Sequence, residues 1–158
     1  MRKVVSTELS KAKFWHFDEK NLSKEEIKFI LENASKATNL EGIVFFENNQ
    51  FDKDCSNWYF DCLVQNKSII GIDLYSLKIP INVKKDFLSL FNTKSNLKYI
   101  VFDSKEISKE EALSLSKAYN MKLETNFDSD YYDYYCGHST YYFKNEKWQS
   151  KIWLFSRK

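Results

Sequence analysis

Glycine and proline are almost missing from this 158-residue chain: three of the first and one of the second. That scarcity argues against low-complexity or disordered segments and for long elements joined by tight connections. Gly42, Gly71 and Gly137 each stand alone, so neither a G-x-G-x-x-G nor a Walker-type phosphate cradle occurs. His16 and His138 are the only histidines, and no H-E-x-x-H, EF-hand loop or G-x-S-x-G elbow is present. The three cysteines, Cys55, Cys62 and Cys136, form no C-x-x-C pair. An odd count behind an N-terminus without the apolar stretch of a signal peptide points to a reducing compartment, so a cytoplasmic location is expected. No run approaches the ~20 apolar residues of a membrane span. Nor is there a surplus of one charge. Twenty-four basic against 22 acidic groups leave a net charge of +2, which argues against a nucleic-acid partner, since such binders concentrate basic charge.

What the chain does have is aromatic residues, at 17%, and helix starts. In "SKEEIKFILENASKAT", Ser23 precedes Glu26 at capping-box spacing, and Ile27, Ile30, Leu31 and Ala34 share one helical face. "SKEEALSLSKAYN" repeats the arrangement with Ser108, Glu111, Ala112, Leu115 and Tyr119. The likeness extends upstream at a constant offset of 85: Phe17 matches Phe102, Asp18 matches Asp103, and Leu22 matches Ile107. Such self-similarity marks an internal repeat. A unit that long points away from a solenoid and toward a pseudo-two-fold.

Strands are predicted from β-branched and aromatic runs: "GIVFFEN", "NWYFDCLVQN", "SIIGIDLYSLKI", "LKYIVFD" and "MKLETNF". A hairpin is predicted from "STYYFKN" and "KWQSKIWLFS" through Asn145-Glu146. The expected fold is a single α+β domain over residues 1–158: a mainly antiparallel twisted sheet with two to three helices on one face. Its two pseudo-repeated strand-helix-strand-strand halves would cover about residues 10–80 and 95–158, joined by a short helix over about 82–92.

Candidates for catalysis are few. His16, between aromatics in "KFWHFD", reads as a packed strand histidine. "CGHS" places Cys136, His138 and Ser139 close together, with Asp130 or Asp133 to orient an imidazole. Cysteine hydrolases, however, usually bring their histidine from a distant segment. Cys55, Cys62, Cys136 and His138 lack the short spacings of a zinc site. Asp61 and Asp73, on predicted strands, read as solvated positions. No catalytic residue, metal or cofactor is therefore expected.

One stretch remains, "DSDYYDYYCGHSTYY" from Asp128 to Tyr142. Between Leu123 and Phe143 lie six of the ten tyrosines and four carboxylates, with no lysine or arginine. If 131–136 is a strand, Tyr132, Tyr134 and Cys136 share one face, and Tyr131, Asp133 and Tyr135 the other. Its negative charge opposes base stacking on phosphate-bearing ligands. It suits protein docking, because tyrosines anchor and carboxylates steer a basic partner. The expected partner-binding residues are Asp128, Asp130, Tyr131, Tyr132, Asp133, Tyr134, Tyr135 and His138. The expected role is non-enzymatic inhibition: an immunity protein or antitoxin covering the active site of a basic cognate toxin, such as a cationic nuclease. The alternatives are a small-molecule cleft between the halves, lined by Trp15, Trp58 or Tyr99, and a Cys136-dependent enzyme.

Overall fold

A computed structural model of the chain describes residues 12–17, 21–46, 48–125, 130–131, 139–144 and 147–152. Strands and helices alternate along it. Strand β1 (Phe14–Phe17) leads to α1 (Lys24–Ala34), and β2 (Gly42–Phe45) to α2 (Lys53–Gln65). Strand β3 (Gly71–Asp73) leads to α3 (Ile81–Asp86), which continues as a 3-10 helix, Phe87–Asn92. Strand β4 (Tyr99–Phe102), α4 (Lys109–Tyr119) and β5 (Lys122–Thr125) follow, and then the pair β6 (Ser139–Lys144) and β7 (Lys147–Ile152).

The expected antiparallel sheet is wrong. Two small sheets, ordered β2-β1-β6-β7 and β3-β4-β5, are built from parallel neighbours. The single antiparallel pair among the described residues is the expected terminal hairpin, β6 with β7. The two sheets meet where the Ile70 N–H donates to the Glu41 carbonyl at 2.9 Å. Strands β1 to β5 therefore stand side by side in chain order. Parallel neighbours need a crossover long enough to return the chain to its starting side, and here helices supply it.

The misread segment was "NWYFDCLVQN", which is helical. The Asp52 carboxylate caps α2 by accepting from the Cys55 N–H at 3.1 Å, and Cys55, Tyr59, Cys62 and Leu63 bury one helical face. Aromatic content suggested a strand, but the cap and the 3.6-residue period decide for helix.

Strand starts at 14, 42, 71 and 99 are spaced by 28, 29 and 28 residues. The match at an offset of 85 spans three of these steps. It reflects a succession of β/α units and not two antiparallel halves. Ser23 and Ser108 do cap α1 and α4, each accepting from the N–H of the glutamate three residues on at 3.1 Å.

The third and fourth units are each tied to their predecessor ahead of the strand. Asn66 is buried, donating to the Ala34 and Ala37 carbonyls at 2.7 and 2.9 Å and accepting from the Ser68 and Ile69 N–H groups. Asn96 repeats this one unit later, donating to the Lys67 and Ile69 carbonyls. An asparagine side chain carries both donor and acceptor, so it can satisfy turn backbone on both sides at once. Behind the sheet, Trp15, Phe17, Ile43, Phe45, Ile72, Leu74, Ile100, Phe102 and Leu123 pack on the helices in one continuous core. Lys84, fully buried there, is neutralised by Glu106 at 2.7 Å.

Candidate functional site on the open sheet face

Because strand residues alternate between faces, the positions between those core residues form the sheet's other face. Register aligns Phe14 with Gly42, and Gly71 with Tyr99 and Lys122. One row therefore reads Phe14, Gly42, Gly71, Tyr99, Lys122 across five strands. Bulky residues flank two adjacent glycines, and the gap they leave is a slot. Tyr131 fills it. Its ring lies edge-on to Phe14 at 6.1 Å and tilted against Tyr99 at 5.5 Å. A β-carbon at Gly42 would collide with the Tyr131 hydroxyl, and one at Gly71 with the ring itself. Tyr131, Phe14, Val44 and Val101 form a second, smaller apolar cluster, with Phe46, Tyr75 and Tyr99 packed against it.

Polar contacts hold the segment beside the slot. Glu124 of β5 accepts from the Asp130 N–H at 2.9 Å and from the Tyr131 N–H at 3.1 Å, one carboxylate oxygen each. Lys122, two residues earlier on the same strand and hence on the same face, meets the Asp130 carboxylate at 2.6 Å. That hydrogen bond pushes the Lys122 ammonium above its usual range. Both side chains are well exposed, so the pair orients the segment more than it stabilises it. Asp130 and Tyr131 thus lie over the open face, and β6 pairs in parallel with the other edge of β1.

No family model matches this chain, and no curated protein matches it. Among solved structures, it is similar to Leiomodin-1 Actin-Binding Site 2 (ABS2), with a TM-score of 0.51 and 14% sequence identity. The alignment covers 71% of this chain and 73% of that one. The likeness is one of fold.

Of the expected partner-binding residues, Asp130 and Tyr131 are described. Asp130 is exposed, whereas Tyr131 has no exposed surface and its ring is closed off by the sheet. The expected strand from 131 onward begins instead as helical backbone at Asp130–Tyr131. Asp128, Tyr132, Asp133, Tyr134, Tyr135 and His138 lie outside the described residues, as does Cys136.

The three aromatics named for a cleft do not share one. Trp15 is in the helix-side core and Tyr99 walls the slot. Trp58 of α2 is half-buried against the helix-side core, with the Lys24 and Lys28 ammonium groups 5.9 and 5.4 Å from its ring. Asp61 is exposed on α2, while Asp73 is buried on β3 and accepts from the Tyr75 N–H at 3.0 Å. Among the described residues no three His, Cys, Asp or Glu groups converge as metal ligands, and no helix is long and apolar enough to cross a membrane. His16 is half-buried, its ring 6.2 Å from Phe46. Sequence reasoning missed Gly42 and Gly71, Phe14, Lys122 and Glu124 as site residues, and placed Tyr99 in a different cleft. The one available signal was two of only three glycines standing 29 residues apart, each beside β-branched apolar residues.

Proposed function

We propose that this chain is a non-enzymatic protein-binding module whose partner meets the acidic, tyrosine-rich segment on the open side of the sheet. The observation that carries the reading is the anchoring of that segment. Tyr131 is buried in a slot between four strands and Glu124 holds the backbone at Asp130 and Tyr131, so Asp130 is presented from a fixed backbone. Preorganised aromatic and acidic groups lower the ordering cost of association. The solved relative in fold, named as an actin-binding site, supports the class of function, a protein-binding surface, and no particular partner.

The narrower reading is a cytoplasmic immunity protein or antitoxin. Asp128, Asp130 and Asp133 meet the Lys and Arg residues of a cationic toxin, and Tyr132, Tyr134, Tyr135 and His138 supply contact area. Tyr131 acts here by positioning its neighbours. The test is capture of a stoichiometric basic partner from the native organism by the wild type and by the D128N/D130N/D133N variant. The variant should bind at least tenfold more weakly, with a flatter dependence on salt. Equal affinity of the two proteins would remove the acidic segment from the interface.

A further inference from the structure

The contacts that dock Asp130–Tyr131 are those a bound peptide makes. An aromatic ring sits in a slot, two backbone N–H groups share one carboxylate, and an acidic side chain meets a lysine. We infer that the slot formed by Phe14, Gly42, Gly71 and Tyr99, with Lys122 and Glu124 at its rim, is a binding site for an acidic-aromatic peptide pair. In this structure the chain's own Asp130–Tyr131 occupies it as an internal ligand. The inference concerns the sheet under the segment, not the segment's outer side, and it stands whether or not a basic partner exists.

Four observations give the site its chemistry. The glycines at the first positions of β2 and β3 make it deep enough for a ring, since a β-carbon at either would strike the ring or its hydroxyl. Phe14 and Tyr99 wall it with aromatic edges and faces, which favour an aromatic guest over an aliphatic one. Lys122 stands where the guest's preceding residue presents its side chain, so an acid is read there. Glu124 fixes the guest's backbone direction, because it accepts from two successive N–H groups. A segment of another chain carrying the same pair has to displace Tyr131, so the internal ligand sets the threshold for entry.

The test uses the full chain with Tyr131→Ala, which vacates the slot, and two probes. One is p-cresol, the tyrosine side chain as a free molecule. The other is a blocked tetrapeptide, Asp-Ser-Asp-Tyr, the chain's own sequence over 128–131. The Y131A protein should gain thermal stability with p-cresol, as apolar cavities do when a fitting ring fills them. It should bind the tetrapeptide at least tenfold more tightly than the same peptide ending in Leu. The wild type should bind the tetrapeptide at least tenfold more weakly than Y131A does, its slot being filled. A folded Y131A protein that takes neither probe overturns the proposal, and so does equal binding by the wild type, which places the probe elsewhere.

If Y131A does not fold, Gly71→Ala provides the second arm, because its methyl group evicts the ring while leaving the tyrosine in the chain. Amide exchange at Asp130 and Tyr131 should then rise at least tenfold with the α1 and α2 amides unchanged. Unaltered protection at Asp130 and Tyr131 would overturn the proposal.

Discussion

Single residues show most plainly how far burial changes chemistry here. Cys55 and Cys62 are both buried on the core face of α2, and burial pushes their thiols up to about 11 and about 12. A thiol raised in this way is protonated in the folded protein at pH values where it ionises once unfolded. Their contribution to stability is therefore complete below about pH 9, the value the unfolded thiol takes, and it is lost as pH rises toward about 12. Two outcomes follow for Cys55 and Cys62. At pH 8 they should be alkylated at least a hundredfold more slowly in the native protein than in denaturant, since the thiolate is the reactive form. The denaturation midpoint should fall between pH 9 and pH 11. Fast native labelling of either thiol, located by peptide mass mapping, would contradict the packing of α2. Asn66 is the polar counterpart. Its carboxamide makes four hydrogen bonds to backbone groups and accepts a fifth from the Ser68 hydroxyl, so no apolar residue of similar size can replace it without leaving buried groups unsatisfied.

At the scale of elements, α1 and α4 start alike and end differently. Both have a serine cap and two acidic residues in the first turn, which suit the positive end of the helix dipole. Helix α4 then stops at Asn120, the one non-glycine residue with positive φ among the described residues, in the left-handed conformation that asparagine tolerates at helix ends. That stop puts Ser116 beside β5, where its hydroxyl accepts from the Leu123 N–H at 3.0 Å. An edge-strand amide of β5 is thereby covered, which discourages unwanted strand pairing. The two caps lie far apart in the row of units and share no partner. Ser23→Ala and Ser108→Ala should each cost about 1 kcal/mol, and the double variant about the sum. Urea denaturation of the four proteins checks this, and a double variant no worse than either single one would mean that the caps are coupled.

For the whole molecule, a row of parallel units ordinarily has two bare ends and holds together through nearest neighbours alone. This chain departs from that pattern. Tyr131 sits on the open face between units two and three, and β6 pairs with the edge of β1. Contacts far apart in sequence thus join the last unit to the first, and unfolding should be a single cooperative transition. A chain ending at Thr125 loses the buried tyrosine ring and the β1–β6 pairing. It should be less stable by about 3 kcal/mol or more, and it should bind an apolar dye at the uncovered Phe14, Val44 and Val101. A truncated chain with the full chain's denaturation midpoint and no dye binding would make the terminal segment an appendage.

The local pieces were legible from the sequence because their causes are local. Ser23 with Glu26, Ser108 with Glu111, the apolar faces of α1 and α4 and the terminal hairpin each depend on residues a few positions apart. The repeat was visible as well, at three times its true length, because only the first and fourth units share a serine cap and a Lys-Glu-Glu start. Strand direction and sheet order were not legible. They depend on where each crossover returns the chain, and α2 was hidden because its aromatic residues fit either a strand or a helix. Nor could the sequence show that Gly42 and Gly71 make room for Tyr131, which lies 60 residues beyond the second of them. A glycine by itself indicates only a missing side chain. What occupies the space is decided when the strands align in register and the last segment folds back over them.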